Sequence, residues 1–202
     1  MLFSMLRYGR YLCSWLLILA LLFSARGADA APQGTAGLTI GAAGTAREHR
    51  YWDETLFHLG ARGDVLFGRD SNANFGFGPY LEVGTNGFRS IQFGGGASVL
   101  FPVIDYLPLV LSVGAYGQKS DDGFGLSPGL STGLFWGSRS YNFHGGYIMS
   151  AGLIGQFRYG LGASGETSIV LGAQLDFVAM SLPFLFLINA IRGGSSDTRP
   201  VH

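Results

Sequence analysis

The clearest pattern in the chain is an alternation of apolar with polar or small residues. Between Thr55 and Gly68, one parity holds Phe57, Leu59, Ala61, Val65 and Phe67, and the other holds His58, Gly60, Arg62 and Asp64. A period of two is typical of a β-strand with one apolar and one polar face. The segment therefore predicts a strand.

The following segment repeats this alternation. Phe75, Phe77, Pro79, Leu81 and Val83 share one parity, against Asn74, Gly76, Gly78, Tyr80 and Glu82. Residues 68–73 between the two segments are turn formers, so the pair predicts a hairpin. The same test predicts further strands near 35–43, 90–101, 108–117, 128–138, 146–160 and 166–178.

Eight strands of about ten residues, with no long helical pattern between them, predict an all-β fold. About ten residues is the length with which a tilted strand crosses a bilayer, and a closed barrel leaves no unpaired edge in lipid. The polar parity is rich in Gly and Ser and poor in Lys and Glu. If it faced water, the surface of the protein would have unusually few charged residues. We therefore predict a transmembrane antiparallel up-and-down β-barrel whose apolar parity faces lipid, with Tyr147 and Tyr159 of one strand in the two interfacial girdles. The loops at 44–54, 85–89, 118–127 and 160–166 would then face outward.

The first thirty residues have the features of a secretory signal peptide. Arg7 and Arg10 precede an apolar stretch at 11–23, and Ala28-Asp29-Ala30 forms a cleavage site. The sequence predicts a signal peptide at 1–30, a barrel at 31–178 and a C-terminal extension at 179–202. Because the single cysteine, Cys13, lies in the removed segment, a mature chain would have no thiol chemistry.

Charge and glycine content narrow the class of protein further. Basic and acidic residues number 13 each, and residues 1–30 contain three of the former and one of the latter, so the mature chain is nearly neutral. This argues against nucleic acid as a partner, because phosphate binding needs a basic face. Glycine, at 33 of 202 residues, is scattered among apolar residues and fits a curved, narrow barrel interior.

With these strands, the chain resembles the small eight-stranded outer-membrane proteins, the group that includes the OmpA transmembrane domain and the OmpX and OmpW types. Gly172, Leu175 and Phe177 of the last predicted strand resemble the terminal-strand signature that the barrel-assembly machinery recognises. The resemblance implies an outer-membrane location, membrane lipids and the assembly machinery as partners, and a monomer. It carries over no functional residue.

Polar and charged residues on the interior parity predict a polar network in the lumen. Its predicted members are His58, Arg62, Asp64, Tyr80, Glu82, Gln156, Arg158 and Asp176. If the first hairpin turns at 68–73, Glu82 lies opposite or diagonal to Arg62. A salt-bridge network is the structural interpretation, and a gate or proton path is the functional alternative. We also expect Gln156→Glu to cost much less than an arginine on the lipid-facing parity if the size change fits, because it replaces one polar lumen group with another.

Two groups of residues have side chains that could carry chemistry. His58 has Asp53 and Glu54 before it, but no serine stands at a telling spacing, so a hydrogen-bonded interior histidine is the simpler interpretation. Residues 70–74 imitate the start of a calcium loop but lack its glycine and its bidentate glutamate, which favours a turn. The sequence thus predicts no catalytic, cofactor or metal residues.

The residues after the last predicted strand have a composition of their own. The apolar run at 178–191 is too short to span a bilayer and predicts an interfacial helix, followed by a disordered tail at 195–202. The leading hypothesis is a non-enzymatic outer-membrane protein with a structural or envelope role. The alternatives are an outer-leaflet lipid-modifying enzyme and a soluble periplasmic lipocalin-like barrel that binds an apolar ligand.

Overall fold

A computed structural model describes residues 31–48, 50–69, 71–120, 125–139, 146–162 and 165–193. The predicted signal peptide at 1–30, Asp70 and the predicted disordered tail at 195–202 lie outside these ranges.

The predicted eight-stranded antiparallel barrel with a short C-terminal helix is confirmed. Each strand pairs antiparallel with the next, and β1 pairs with β8 to close the barrel. The elements are β1 Gln33–Ala46, β2 Glu54–Leu66, β3 Gly76–Asn86, β4 Ser90–Phe101, β5 Leu109–Ser120, β6 Ser127–Arg139, β7 Ser150–Gly160, β8 Thr167–Asp176 and α1 Phe177–Gly193.

The prediction that Tyr147 and Tyr159 share one strand is wrong. Because β7 begins at Ser150, Tyr147 lies outside it and forms an isolated parallel bridge with Gly34. The Tyr147 hydroxyl is held by donating a hydrogen bond to Oδ2 of Asp176 over 2.8 Å. The alternation in the sequence extends back to position 147, but the pairing of β7 with β6 begins only at Ser150.

Side chains alternate strictly between the two faces of the barrel wall. On the outward face, Leu81 is 74% exposed and Leu153 is 61% exposed, whereas Arg62 and Asp64 on the inward face are 5% and 3% exposed. Across all eight strands, Lys119 is the only charged residue at an outward position. The barrel is therefore apolar outside and polar inside.

Inward-facing glycines meet in pairs at every second seam between strands. The pairs are Gly41 with Gly172, Gly60 with Gly84, Gly96 with Gly114, and Gly137 with Gly152, so each strand contributes one glycine. A β-carbon built on Gly152 would lie 2.5 Å from the Trp136 carbonyl oxygen and 2.8 Å from Cζ of Phe135. The paired glycines thus leave room for bulky lumen side chains.

The β3–β4 hairpin closes through an unusual turn. Gly87 and Phe88 both have φ of 59°, as a two-residue type I′ turn requires, and the Arg89 amide donates to the Asn86 carbonyl. A phenylalanine rarely adopts this left-handed conformation. Its ring lies 6.1 Å from the ring of Phe57, so exterior packing stabilises the turn.

The predicted terminal-strand signature is interrupted at its last position. Strand β8 ends at Asp176, and Phe177 is the first residue of α1 rather than the last residue of a strand. Oδ1 of Asp176 accepts a hydrogen bond from the Val178 amide over 2.8 Å, so Asp176 is the N-cap that begins the helix. The sequence pattern did not separate a strand end from a helix cap.

Helix α1 carries exposed apolar side chains around its circumference, including Phe184, Phe186 and Ile191. A helix that is apolar on all sides needs an apolar environment. Neither this helix nor any other helical segment in the described ranges is long and apolar enough to cross a membrane.

Candidate functional site

The strongest polar contact in the lumen joins Asp64 of β2 to Arg139 at the end of β6. Arg139 donates from Nη1 to Oδ1 over 2.7 Å and from Nη2 to Oδ2 over 2.9 Å. Thr35 donates its hydroxyl to Oδ1 of the same carboxylate over 3.0 Å. Because the Asp64 and Arg139 side chains are almost fully buried, the two charges neutralise each other in a confined space.

Arg62 lies beside this pair and connects three walls of the barrel. Its Nη1 donates to the Ser112 hydroxyl over 3.2 Å and its Nη2 to the Ser98 hydroxyl over 2.9 Å. The guanidinium also lies 4.0 Å from the centre of the Tyr80 ring. A cation held by hydroxyls and an aromatic face in this way is fixed in orientation.

Glu82 pairs with Arg158 on the opposite side of the lumen. Oε1 of Glu82 lies 3.3 Å from Nη2 of Arg158, and Oε2 accepts a hydrogen bond from the Gln156 side chain over 2.8 Å. Since Gln156 donates to a carboxylate, Gln156→Glu would put two carboxylates in contact. Because Nη2 of Arg158 also donates to Oε1 of Gln156 over 2.9 Å, the new carboxylate would keep a guanidinium partner, and the low cost expected for this substitution stays a prediction. We refer to Arg62, Asp64, Glu82, Arg139 and Arg158 as the central ion cluster.

Amide side chains continue this network toward the loop end. Arg158 donates from Nη1 to Oε1 of Gln92. Gln92 donates to Oε1 of Gln118 over 3.1 Å, and Gln118 donates to Oε2 of Glu166 over 2.7 Å. A chain of polar contacts therefore runs along the lumen from the central ion cluster to the loops.

The end of the lumen near Gln33 and Asp176 has a different composition. Leu66, Leu100, Val110 and Phe135 form a buried apolar cluster on the inward face. Arg69, which the sequence placed in a turn, is instead fully buried and donates to Oε1 of Gln33 over 3.3 Å. The polar parity thus does not stay polar throughout the lumen.

The structure brings six of the eight predicted lumen residues into one network and separates the other two. The six are Arg62, Asp64, Tyr80, Glu82, Gln156 and Arg158. Nδ1 of His58 lies 2.8 Å from Oδ1 of Asn86, so its hydrogen bond is to an amide rather than to Asp53 or Glu54. Asp176 lies at the terminal end and caps α1.

Sequence analysis missed Arg139, the principal partner of Asp64. Position 139 follows directly after the predicted strand at 128–138, and the real strand, Ser127–Arg139, is one residue longer at each end. The inward parity of β6 continues to Arg139, so extending the alternation by one residue would have included it. Gln92, Ser98 and Ser112 also lie on the inward parity, but pattern alone does not show which residues meet across the lumen.

No group of three or more His, Cys, Asp or Glu residues in the described ranges is arranged to hold a metal ion. The carboxylates of the central ion cluster accept from guanidinium and amide groups instead. The cluster holds three guanidinium groups and two carboxylates, joined by ion pairs and hydrogen bonds.

Comparisons with known proteins return structural matches only. No family model matches the chain, and no curated protein sequence matches it. The backbone structure of the Yersinia pestis outer membrane protein Ail in a phospholipid bilayer nanodisc matches with a TM-score of 0.39 and 16% identity, covering 72% of this chain and 100% of that one. The crystal structure of Yersinia pestis Ail in complex with the heparin analogue sucrose octasulfate matches with a TM-score of 0.40 and 12% identity, covering 73% of this chain and 100% of that one. At these identities and TM-scores the likeness transfers no residue, ligand or role to this chain.

Proposed function

We propose that the chain is a non-enzymatic outer-membrane β-barrel protein with a structural or envelope role, exported through a cleaved N-terminal signal peptide. The observation that carries this proposal is the outward face of the strands, which is apolar with Lys119 as its one charge. A membrane barrel needs such a band, whereas water strongly disfavours it. The soluble lipocalin-like alternative requires the opposite distribution of polar and apolar faces.

The interior supports a structural role. The central ion cluster and the amides beyond it fill the lumen with groups that bond to one another, as an eight-stranded barrel allows. Such a network holds the walls together from within. Outer-membrane lipids and the barrel-assembly machinery are the partners that this proposal entails, with a monomer as the assembled state.

Cell fractionation combined with gel migration tests the membrane assignment. Folded outer-membrane barrels resist detergent until heated, so we expect the protein in the outer-membrane fraction, with a faster band in unheated samples than in boiled ones. Recovery in the soluble fraction without detergent, or identical migration in both samples, would contradict the proposal.

The lipid-modifying alternative has its own test. Purified protein in lipid vesicles is incubated with lipid A and with phospholipids, and products are separated by mass spectrometry. We expect no turnover, because the hydrogen bond of His58 is to the Asn86 amide and not to a nucleophile or an acid. Turnover that is lost in His58→Ala would overturn the non-enzymatic role.

A further inference from the structure

A cavity of about 290 Å³ opens at the end of the barrel opposite Gln33 and Asp176. Its walls come from the ends of β1 and β3, the loop between β1 and β2, the starts of β2 and β4, and the residue before β8. This volume is close to the lower end for small-ligand pockets, roughly 300 to 1,000 Å³. It therefore suits a ligand about the size of a single ring.

The cavity is lined by equal numbers of positive and negative side chains. These are Arg47, Arg50 and Arg89, with Asp53, Glu54 and Glu166. Two ion pairs are already formed, since Nη1 of Arg89 lies 2.8 Å from Oε1 of Glu54 and Nη2 of Arg50 lies 3.2 Å from Oδ2 of Asp53. A polyanion would meet three carboxylates here, so the charge balance favours a neutral ligand.

A buried hydrogen-bond donor lies in the cavity wall. Asn86 is 1% exposed, and its Oδ1 is engaged by His58 over 2.8 Å. Because a carbonyl oxygen only accepts, His58 donates through Nδ1 and the Asn86 Nδ2 is left for another acceptor. Within the described ranges, Nδ2 has no hydrogen-bond partner. Buried donors are seldom left unpaired in native proteins, so the position calls for an oxygen atom from a ligand or water.

Acceptor and hydroxyl groups complete the lining. Glu166 uses Oε2 to accept from Gln118 over 2.7 Å. Burial raises the pKa of Glu166, which shows that its charge is incompletely solvated and would gain from a further donor. Thr45 adds a largely buried hydroxyl to the same wall.

We infer that this cavity binds a neutral polyhydroxylated molecule with the size of one sugar ring. Hydroxyls both donate and accept, so a single ligand class satisfies the carboxylates, the guanidinium groups and the free amide N–H together. An apolar ligand would offer no acceptor to the Asn86 amide N–H and would remove water from the Arg89–Glu54 and Arg50–Asp53 ion pairs without bonding to them. The inference goes beyond the structural role proposed above and does not require it.

Binding can be measured on the full chain folded in phosphatidylcholine nanodiscs, which avoids glycoside detergents that carry their own sugar headgroup. The probes are glucose, galactose, mannose and N-acetylglucosamine, each titrated separately by saturation-transfer NMR, with inorganic phosphate as the anionic comparison. We expect at least one sugar to bind more tightly than about 10 mM, and phosphate not to bind.

Two conservative variants test whether the sugar binds in this cavity. Thr45→Val removes one hydroxyl and Glu166→Gln removes one charge while keeping an acceptor for Gln118, so each should weaken sugar binding about threefold to tenfold. Glu166→Gln leaves an excess positive charge and should also introduce phosphate binding. Thr132→Val, on the outward face of β6, is the matched control and should change nothing.

Each variant is first shown to be folded by its heat-sensitive gel migration. The inference is overturned if phosphate binds the parent and no sugar does, because the cavity is then an anion site. It is overturned equally if no sugar binds up to about 10 mM, or if sugar binding survives unchanged in both cavity variants.

Discussion

Arg139 and Asp64 lie 75 positions apart in the sequence and form a doubly hydrogen-bonded ion pair inside the barrel, at 2.7 and 2.9 Å. Each comes from a different hairpin, so the pair joins walls that local pairing does not connect. The carboxylate depends on this one guanidinium far more than on Arg62, whose Nε is 3.8 Å away.

Replacing Arg139 with Met should therefore be costly. It leaves a buried carboxylate without its main partner, and we expect the free energy of unfolding in lipid vesicles to fall by about 3 to 5 kcal/mol, measured by urea titration. Arg89→Met is the control, because the Arg89–Glu54 pair is exposed and should contribute about 0 to 1 kcal/mol. Equal losses for the two variants would mean that the interior pair is not structurally important.

Leu81→Arg tests which face of the wall meets lipid. Leu81 is 74% exposed near the middle of β3, so a charge there should destabilise an inserted barrel by about 2 to 4 kcal/mol. Leu81→Ala, which adds no charge, should lose much less. If Leu81→Arg folds into vesicles as well as the parent, the outward face is not in the hydrocarbon layer.

Two glycines of β7 should respond differently to the same substitution. Gly152→Ala drives a β-carbon to within 2.5 Å of the Trp136 carbonyl oxygen, and we expect a loss of about 1 to 3 kcal/mol in vesicle unfolding experiments. Gly155→Ala meets nothing closer than 3.6 Å and should be nearly neutral. Equal tolerance at both positions would contradict the close approach of the strands at the β6–β7 seam.

The filled lumen should block ion flow. Reconstituted protein in a planar bilayer is expected to show no steady current, because the central ion cluster and the apolar cluster around Phe135 occupy the interior. A pore-forming peptide in the same bilayer verifies detection. Stable currents that scale with protein incorporation would support the gate interpretation instead.

The pH dependence of stability should contain a contribution from Glu166. Burial raises the pKa of this carboxyl above its ordinary value of 4.5, so the folded state binds its proton more tightly than the unfolded state. The corresponding stability is present below the ordinary pKa and is lost as pH rises through the folded pKa. Compared with Glu166→Gln, the parent should thus lose stability as the pH rises above 4.5 and through the folded-state pKa, measured by urea titration. Parallel curves for the two proteins would contradict this.

Alternation predicted the strands and their faces because side-chain direction in a strand depends only on local geometry. It also predicted the neighbourhood of Arg62 and Glu82, which lie directly opposite in the β2–β3 register. It could not predict that Asp64 meets Arg139, because that contact depends on closure of the whole barrel. It also did not show that Arg69 turns inward, since turn-forming neighbours masked its burial.

The paired glycines also bear on how the barrel selects its own strand alignment. A slip of two residues between β6 and β7 keeps every side chain on its proper face, so polarity alone would not reject it. Such a slip would bring Ile154 or Ser150 to the place of Gly152, where a β-carbon lies too close to the Trp136 carbonyl. Each strand contributes one glycine to these pairs. We therefore expect a steric clash at these seams to destabilise misaligned intermediates during assembly, before the last strand closes.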